Sequence, residues 1–257
     1  MGTLAYELHD QVAILTIQSP PANALSSNLL RDLSVKLDEV EADHTVKAIV
    51  IRGEGKFFSA GADIKEFTSF QHSSDYQSLS EEGQKLFDRM EGFSVPIIAA
   101  IHGAALGGGL ELAMACHIRL VSETAKLGLP ELNLGIIPGF AGTQRLPRYV
   151  GSAKAYELIL SGEPITGTEA HALGLANHAV AEDRVFDEAM KLATKIAAKS
   201  KPTINHIMQL IPYAKTSQFS KGVKAEAIAF GEIFGSEDAK EGVKAFMEKR
   251  KPNFQDK

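Results

Sequence analysis

The first half of the chain alternates short β-rich runs with helical stretches, and this alternation constrains the fold more than any other feature. Apolar, β-branched runs bounded by polar or turn residues predict strands. Strands that alternate with helices are typical of sheets whose strands are connected through helices. The sequence therefore predicts an α/β fold, with strands at Val12 to Ile17, Ala48 to Ile51, Ile97 to Ile101 and Ile118 to Val121.

Helices are predicted from apolar residues that recur every three or four positions. Leu29, Leu33, Leu37 and Val40 follow this spacing behind the capping serines 26 and 27, and a second helix is predicted around 76–90. From about Ser152 onward, Ala-, Lys- and Glu-rich segments predict helices at 152–160, 183–198, 203–213, 218–234 and 237–249. Three residues suit helix starts, namely Asp183 and Ser236 as caps and Pro202 in a first turn.

These patterns divide the 257 residues into two parts. We predict an α/β core over residues 1–190 and a C-terminal helical region over 191–257 that packs on a neighbouring chain. With 44% hydrophobic residues, a chain of this length buries a sizeable core without disulfides or a structural metal. The single cysteine, Cys116, predicts neither a disulfide nor a zinc site, and we expect a small buried side chain there.

Charge and hydropathy argue against several classes of partner. The chain has 27 basic and 32 acidic residues, a net charge of -5, and no block of five or six Lys or Arg. Nucleic acids and anionic membranes are therefore not expected as partners. No apolar run reaches 18 residues, and the N-terminus lacks the features of a signal peptide or a presequence. We accordingly expect a cytoplasmic protein that does not enter a membrane.

Two segments are rich in small residues where a strand gives way to a helix, at 59–64 (SAGADI) and 102–116 (HGAALGGGLELAMAC). Glycine lets backbone N–H groups approach a ligand without interference from a Cβ atom. A helix that begins near Gly107 or Gly108 leaves its first N–H groups unpaired and suited to an oxyanion. The alternative is that these glycines only allow close packing of a helix on a sheet.

Two glutamates are candidates for acid–base chemistry. Glu111 is the only charged residue between His102 and His117, among residues that predict burial. A buried carboxylate needs hydrogen bonds, a cation or a proton, so the alternative is an ion pair with Arg119 or Arg145.

Glu131 follows a proline and leads into a Gly/Pro-rich loop over 135–142, from which a side chain can turn into a cleft. Taken alone, Glu131 also suits a cap or a salt bridge. Together with Glu111 it suggests two carboxyl groups that divide general-acid and general-base roles, one of them holding a proton near neutral pH.

Three segments in this order, FFSAGADIKEF, HGAALGGGLELAMAC and PELNLGIIPGFAGTQRL, resemble the crotonase (enoyl-CoA hydratase/isomerase) family. The resemblance runs from the first strand to Phe246–Lys251. It implies a crotonase-type fold of repeated ββα units with a C-terminal helical trimerisation region, and a homotrimer or a homohexamer built as a dimer of trimers. It also implies an acyl-CoA substrate.

The family pattern also implies roles for individual residues. The N–H groups of Ala62 and Gly108 form the oxyanion hole for the thioester carbonyl. CoA-binding positions are Lys56 near the phosphates, Ala60, Asp63, Ile64 and Lys65 along the channel, and Phe246 and Lys249 in a neighbour's pocket. Each of these lysines is also compatible with an ordinary solvated surface charge.

Both positions that the hydratases of this family use are glutamate here, at 111 and 131. The resemblance therefore implies an enoyl-CoA hydratase that adds water across the 2,3-double bond of trans-2-enoyl-CoA in fatty acid β-oxidation, with no metal and no redox cofactor. Alternatives are an enoyl-CoA isomerase or a hydratase of a specialised pathway. A less favoured one is an RNA-binding family member that uses Lys191, Lys195 and Lys199, whose spacing also suits a solvated helix face.

Two residues depart from the family pattern. His117 stands where an Asp commonly follows the Ala-Cys pair, and suits either a pH-sensitive group or a structural histidine. Phe140 replaces a small residue just after Glu131, where it is expected to narrow the pocket or to reposition that glutamate.

Overall fold

A computed structural model describes residues 3–67, 72–214 and 216–257. Within these residues most strands lie in the first half of the chain and most long helices in the second. The strands are β1 (Leu4–His9), β2 (Val12–Ile17), β3 (Ala48–Gly53), β4 (Phe57–Ser59), β5 (Ile97–Ile101), β6 (Ala104–Leu106), β7 (Ile118–Ser122), β8 (Lys126–Gly128), β9 (Ile165–Thr166) and β10 (His178–Val180).

The α-helices of the described residues connect and cover these strands, and short 3₁₀ turns occur at Glu131–Leu134, Glu182–Arg184 and Ile211–Tyr213. The helices are α1 (Ser27–Ala42), α2 (Ile64–Phe67), α3 (Ser73–Glu91), α4 (Gly108–Ala115), α5 (Gly142–Val150), α6 (Ser152–Ser161), α7 (Gly167–Ala172), α8 (Val185–Ala197), α9 (Lys201–Leu210), α10 (Phe219–Phe234) and α11 (Glu237–Met247). None of the helices in the described part of the chain is both long and apolar enough to cross a bilayer.

The strands form two sheets that share a repeating connection. The larger sheet has the order β1-β2-β3-β5-β7-β10, and the smaller has the order β4-β6-β8-β9. Among the described strands, β1 with β2 and β8 with β9 pair antiparallel, and the other pairs are parallel. Each of β3, β5 and β7 leads directly into a strand of the smaller sheet before the next helix. This repetition confirms the predicted ββα units.

Both faces of the central strands β2, β3, β5 and β7 are largely buried, which explains why these strands are mostly apolar. One face packs Leu15, Ile49 and Ile97 into the main core with helix α1. The opposite face packs Val50, Ile98 and Leu120 into a second cluster. Every residue of β2 is buried, with Ala13, Leu15 and Ile17 in the main core and Val12 in the second cluster.

Helix α8 covers the second face with small residues. Val185, Ala189, Ala193 and Ala197 follow one another at four-residue spacing and are buried against the sheet. The predicted boundary between residues 190 and 191 therefore falls inside a helix that packs on the core. Helices α9 to α11 follow it and carry many exposed large apolar side chains: Ile207, Phe219, Val223, Ile228, Phe230, Phe234, Val243, Phe246 and Met247.

The four strands and the long helices predicted from the sequence are confirmed, most of their ends within about two residues. Ser26 and Ser236 each accept the backbone N–H three residues ahead, and Pro202 lies in the first turn of α9, as predicted. The predicted cap at Asp183 is wrong, because that residue lies in the 3₁₀ turn that precedes α8. The two- and three-residue strands of the smaller sheet escaped prediction because so short a run carries no periodicity.

Candidate active site

The two small-residue segments meet where α4 begins. Leu25 pins the first segment, since its N–H donates to the Gly61 carbonyl (2.8 Å) and its carbonyl accepts the N–H of Asp63 (3.1 Å). A Cβ atom built on Gly108 would lie 3.3 Å from the backbone nitrogen of Ala62. Within the described residues, neither the Ala62 N–H nor the Gly108 N–H donates to another protein group. The structure thus brings the two predicted oxyanion donors side by side, with both N–H groups available.

Two glycines are required for this approach. Gly61 has φ +107°, and a Cβ there would lie 3.0 Å from the carbonyl oxygen of Leu106. Gly107 has φ +50°, and a Cβ there would lie 2.8 Å from Oε1 of Glu131. Both positions combine a left-handed backbone with crowding that excludes a side chain. The alternative role of these glycines, close packing of a helix on a sheet, also holds at Gly109, where a Cβ atom would lie 2.3 Å from the Ser59 carbonyl oxygen.

Glu111 lies on the first turn of α4 and is 1% exposed. Its Oε1 accepts the backbone N–H groups of Phe140 (2.8 Å) and Gly142 (2.7 Å). Because Gly142 is the first residue of α5, this oxygen occupies the N-terminus of a second helix, where a carboxylate is favoured. The other oxygen, Oε2, makes no hydrogen bond within the described residues, and Glu111 lines the cavity described below.

The ion-pair alternative for Glu111 is wrong. Arg119 donates to the carbonyl oxygens of Leu175, Ala113 and Cys116. Arg145, which is 2% exposed, pairs with Asp88 and Glu91, and its Nη1 donates to the Phe140 carbonyl (2.8 Å). Arg145 therefore fixes the loop that holds Glu111 instead of neutralising Glu111 by contact.

Glu131 begins the 3₁₀ turn after β8 and faces Gly107. Its Oε2 is buried and has no hydrogen-bond partner in the part of the chain that the structure describes. Neither alternative reading fits, since the cap position belongs to Pro130 and no ion pair of Glu131 occurs among the described residues. A buried polar atom without a partner at the edge of a cavity is poised to bind something that enters it.

Both carboxyl groups hold their protons more tightly than an exposed glutamate does. Burial raises the pKa of Glu111 to about 7, the charge of Glu131 acts in the same direction, and the two backbone N–H donors and Arg145 oppose the shift. Burial likewise raises the pKa of Glu131. One carboxyl group can therefore stay protonated near neutral pH while the other is ionised.

These groups line one cavity of about 870 Å³. The glycines of the oxyanion segment and both glutamates form its polar end. The rest of the wall is mainly apolar and comes from α3 and the loop after β8: Tyr76, Leu79, Leu134, Ile136, Ile137, Pro138 and Phe140. Among the described residues, no group of three His, Cys, Asp or Glu side chains is arranged to hold a metal ion.

The remaining predicted CoA contacts are spread more widely. Ala60 and Ile64 line the cavity. Lys56 is exposed outside its lining, Asp63 is half-buried beside it, and the side chain of Lys65 lies outside the described residues. Phe246 and Lys249 are exposed at the end of α11, away from the cavity of their own chain. The single chain brings together the catalytic candidates, and the CoA contacts beyond Ala60 and Ile64 stay predictions.

The two departures from the family pattern have different outcomes. His117 is a structural histidine: its Nδ1 accepts the Ile97 N–H (3.0 Å), Nε2 meets the Glu91 carbonyl (3.1 Å), and burial lowers its pKa. Phe140 lines the cavity, as expected, but its backbone contacts Glu111 instead of Glu131. Sequence reasoning missed the role of Gly142, because a donating backbone N–H leaves no signal in residue type.

The chain matches known proteins over almost all of its length. A family model described as enoyl-CoA hydratase/isomerase matches residues 7–257. The chain is 60% identical over 255 residues to a probable enoyl-CoA hydratase of Bacillus subtilis, covering 99% of both chains. It is 39% identical over 253 residues to a short-chain-enoyl-CoA hydratase of Clostridium acetobutylicum, covering 98% of this chain and 97% of the relative.

Solved structures agree with the sequence relatives. The crystal structure of an enoyl-CoA hydratase from Bacillus anthracis superposes with a TM-score of 0.94 at 32% identity, covering 99% of this chain and all of that one. The cavity, the paired N–H donors and the two glutamates thus occur in a chain whose sequence and fold are both similar to those of enoyl-CoA hydratases. The chain belongs to the enoyl-CoA hydratase/isomerase family.

Proposed function

We propose that this protein is an enoyl-CoA hydratase, which adds water across the 2,3-double bond of trans-2-enoyl-CoA to give 3-hydroxyacyl-CoA. The observation that carries the proposal is the convergence of Glu111 and Glu131 on one cavity beside two unpaired N–H groups. Relatives that bear the names enoyl-CoA hydratase and short-chain-enoyl-CoA hydratase support it. Hydration needs both a base and an acid on one water molecule, so a pair of carboxyl groups fits this reaction better than a single one.

The N–H groups of Ala62 and Gly108 bind the thioester oxygen in this proposal. Charge that accumulates on that oxygen as the enolate forms meets donors that are already in place. Loss of one such donor typically costs on the order of 10²–10³-fold in rate. The positive end of α4 adds to this stabilisation, because Gly108 is the first residue of that helix.

The hydrogen bonds assign different roles to the two glutamates. Two N–H donors on Oε1 favour the ionised form of Glu111, whose free Oε2 removes a proton from water as its oxygen bonds to C3. Glu131 has no donor on its buried Oε2, which favours the protonated form, and it delivers a proton to C2. The water supplies both the hydroxyl group and, after proton exchange through the pair, the hydrogen. We propose that no metal or redox cofactor takes part, because these steps are complete without one.

The test is hydration of crotonyl-CoA by the wild type, Glu111→Gln and Glu131→Gln. Each substitution keeps the side-chain volume and removes one proton-transfer step, so we expect kcat to fall by about 10²–10⁴-fold in each. Isomerisation of an enoyl-CoA that survives Glu131→Gln, with no hydration by the wild type, would favour the isomerase alternative. Full activity after dialysis against a chelator is expected if no metal takes part.

We further propose that the protein is a homotrimer or a dimer of trimers that acts in β-oxidation in the cytoplasm. The exposed apolar side chains of α10 and α11 support an assembly, because patches of this kind commonly mark interfaces between chains. Light scattering tests the assembly: Phe230→Glu with Phe234→Glu should reduce the particle to smaller species.

The place of the protein in metabolism is tested separately. Growth on fatty acids is measured in a strain that lacks the protein, with complementation, and cell fractionation of the complemented strain tests the location.

A further inference from the structure

The ring of Phe140 is wedged between helix α3 and the start of α4. A Cβ atom built on Gly83 would lie 2.3 Å from Cδ1 of the ring, and one built on Gly108 would lie 3.4 Å from Cδ2. Phe87 meets the ring edge to face, with the ring centroids 5.4 Å apart. Phe140 is 5% exposed and contributes to the cavity wall beside Glu111. The ring therefore fits a space that exists only because residue 83 has no side chain.

The backbone that carries this ring is fixed on both sides. The carbonyl of Gly139 accepts the Ser80 hydroxyl (2.5 Å) and the Gln84 side-chain amide (2.9 Å), both from α3. The N–H of Phe140 donates to Glu111, and its carbonyl accepts the guanidinium of Arg145 (2.8 Å). Because these bonds hold the loop to two helices, the ring cannot withdraw by moving its backbone without releasing Glu111.

We infer that Phe140 limits the length of the acyl chain that the site accepts, with Gly83 setting the depth to which its ring retreats. The inference rests on the proposed function, in which the thioester oxygen lies at Gly108 and C3 lies near Glu111. The carbons beyond C3 then enter the cavity beside Phe140, whose ring lies against Gly108 and whose N–H donates to Glu111. The expected preference is for shorter over longer trans-2-enoyl-CoA thioesters.

The first arm of the experiment measures kcat/KM for C4, C6, C8 and C10 enoyl-CoA with the wild type, Phe140→Leu and Phe140→Ala. We expect the ratio of the C10 value to the C4 value to rise by about tenfold or more in Phe140→Ala, and by less in Phe140→Leu. The reason is that the fit of a few methylene groups in an apolar pocket changes discrimination by about 10–200-fold. Phe93→Leu is the matched control, because Phe93 is equally buried outside the cavity lining.

The second arm drives the ring in the opposite direction. In Gly83→Ala the new Cβ displaces the ring of Phe140, and the fixed backbone directs it into the cavity, so the C10 to C4 ratio should fall. In the double variant Gly83→Ala, Phe140→Ala the clash partner is absent, and the ratio should match that of Phe140→Ala alone. Gly231→Ala, a helical glycine whose Cβ would meet nothing within 4 Å, controls for the substitution itself.

The outcomes separate this inference from the proposed function. Equal losses at every chain length in Phe140→Ala, or a ratio unchanged in both Phe140→Ala and Gly83→Ala, would overturn the role of Phe140. No hydration of any enoyl-CoA by a folded wild type would instead overturn the proposed function. Calorimetric binding of butyryl-CoA and decanoyl-CoA then still tests the pocket, since Phe140→Ala should tighten decanoyl-CoA relative to butyryl-CoA by a similar factor.

Discussion

The start of α4 and the loop after β8 each present one glutamate to the same cavity, and they support it in opposite ways. Glu111 is held on one oxygen by two backbone N–H groups, and the loop that supplies them is fixed by Arg145. Glu131 has a buried oxygen without a hydrogen-bond partner among the described residues. Its carboxyl group has space because Gly107 has no side chain. Identical residue types thus acquire different hydrogen-bond environments from their surroundings alone, which suits a divided acid–base role.

The largest expected effect tests the steric support of Glu131. In Gly107→Ala the new Cβ would lie 2.8 Å from Oε1 of Glu131 at a backbone φ of +50°, so the glutamate must move. We expect kcat for crotonyl-CoA to fall by about 10²-fold or more, because displaced acid–base groups lose most of their contribution. Gly135→Ala is the matched control. Gly135 has φ +73° and lies in the loop that carries Glu131, but a Cβ atom there would meet nothing within 4 Å. A similar loss in both variants would assign the effect to backbone strain.

The raised pKa of Glu111, the glutamate that accepts two backbone N–H groups, predicts that the free energy of unfolding depends on pH. The pKa of Glu111 is about 7 in the folded protein and near 4.5 when exposed, so the folded state binds the proton more tightly. Stability from this group is therefore present below pH 4.5 and is lost as the pH rises to 7, by about 3 kcal/mol in total. Urea unfolding at fixed protein concentration should show this fall in the wild type and a smaller fall in Glu111→Gln, where the raised pKa of Glu131 still contributes. Parallel curves for the two proteins between pH 4.5 and 7 would contradict the prediction.

How much of this comparison the sequence predicts depends on which atoms are involved. The isolation of Glu111 among apolar residues predicts its burial, and the glycine run predicts the start of α4, because both follow from local composition. The partners of Glu111 are backbone N–H groups about 30 residues away, which residue types do not encode. For the same reason Arg145 was a candidate partner of Glu111, whereas the fold directs it to Asp88 and Glu91.

The same limit applies to the fold. Mostly apolar runs in β2, β3, β5 and β7 predict the four central strands of the larger sheet, since nearly all of their residues are buried. The smaller sheet depends on pairings between segments of three residues, such as β4 and β6, that gain stability only from their neighbours. Such short strands are determined by the tertiary structure rather than by their own composition.

A smaller effect is expected from Arg145→Gln, which tests whether Arg145, together with the loop that it holds, lowers the pKa of Glu111. The substitution removes a nearby positive charge that lowers the pKa of Glu111, so the acidic limb of the kcat profile should move to higher pH. We expect about a tenfold fall in kcat at pH 7, with a loss of stability from the broken buried contacts. Arg148→Gln is the control, because Arg148 also pairs with Glu91 but is exposed and does not contact Phe140. A limb that shifts equally in both variants would argue against a specific role.

The smallest effect is expected from His117→Gln. This variant tests whether His117 is a third group, besides the two glutamates, whose titration affects turnover. The ring accepts the Ile97 N–H and meets the Glu91 carbonyl, and burial lowers its pKa, which moves its titration away from that of Glu111. His117→Gln should therefore leave the acidic limb of the kcat profile in place, while stability falls modestly because the Ile97 N–H loses a well-placed acceptor. The measurement is the pH profile of crotonyl-CoA hydration from pH 5 to 9 beside that of the wild type. A limb that disappears in His117→Gln would transfer the titration from the glutamate pair to the histidine. A limb that persists leaves the glutamate pair, with Glu111 held by its two N–H donors, as the groups whose ionisation controls turnover.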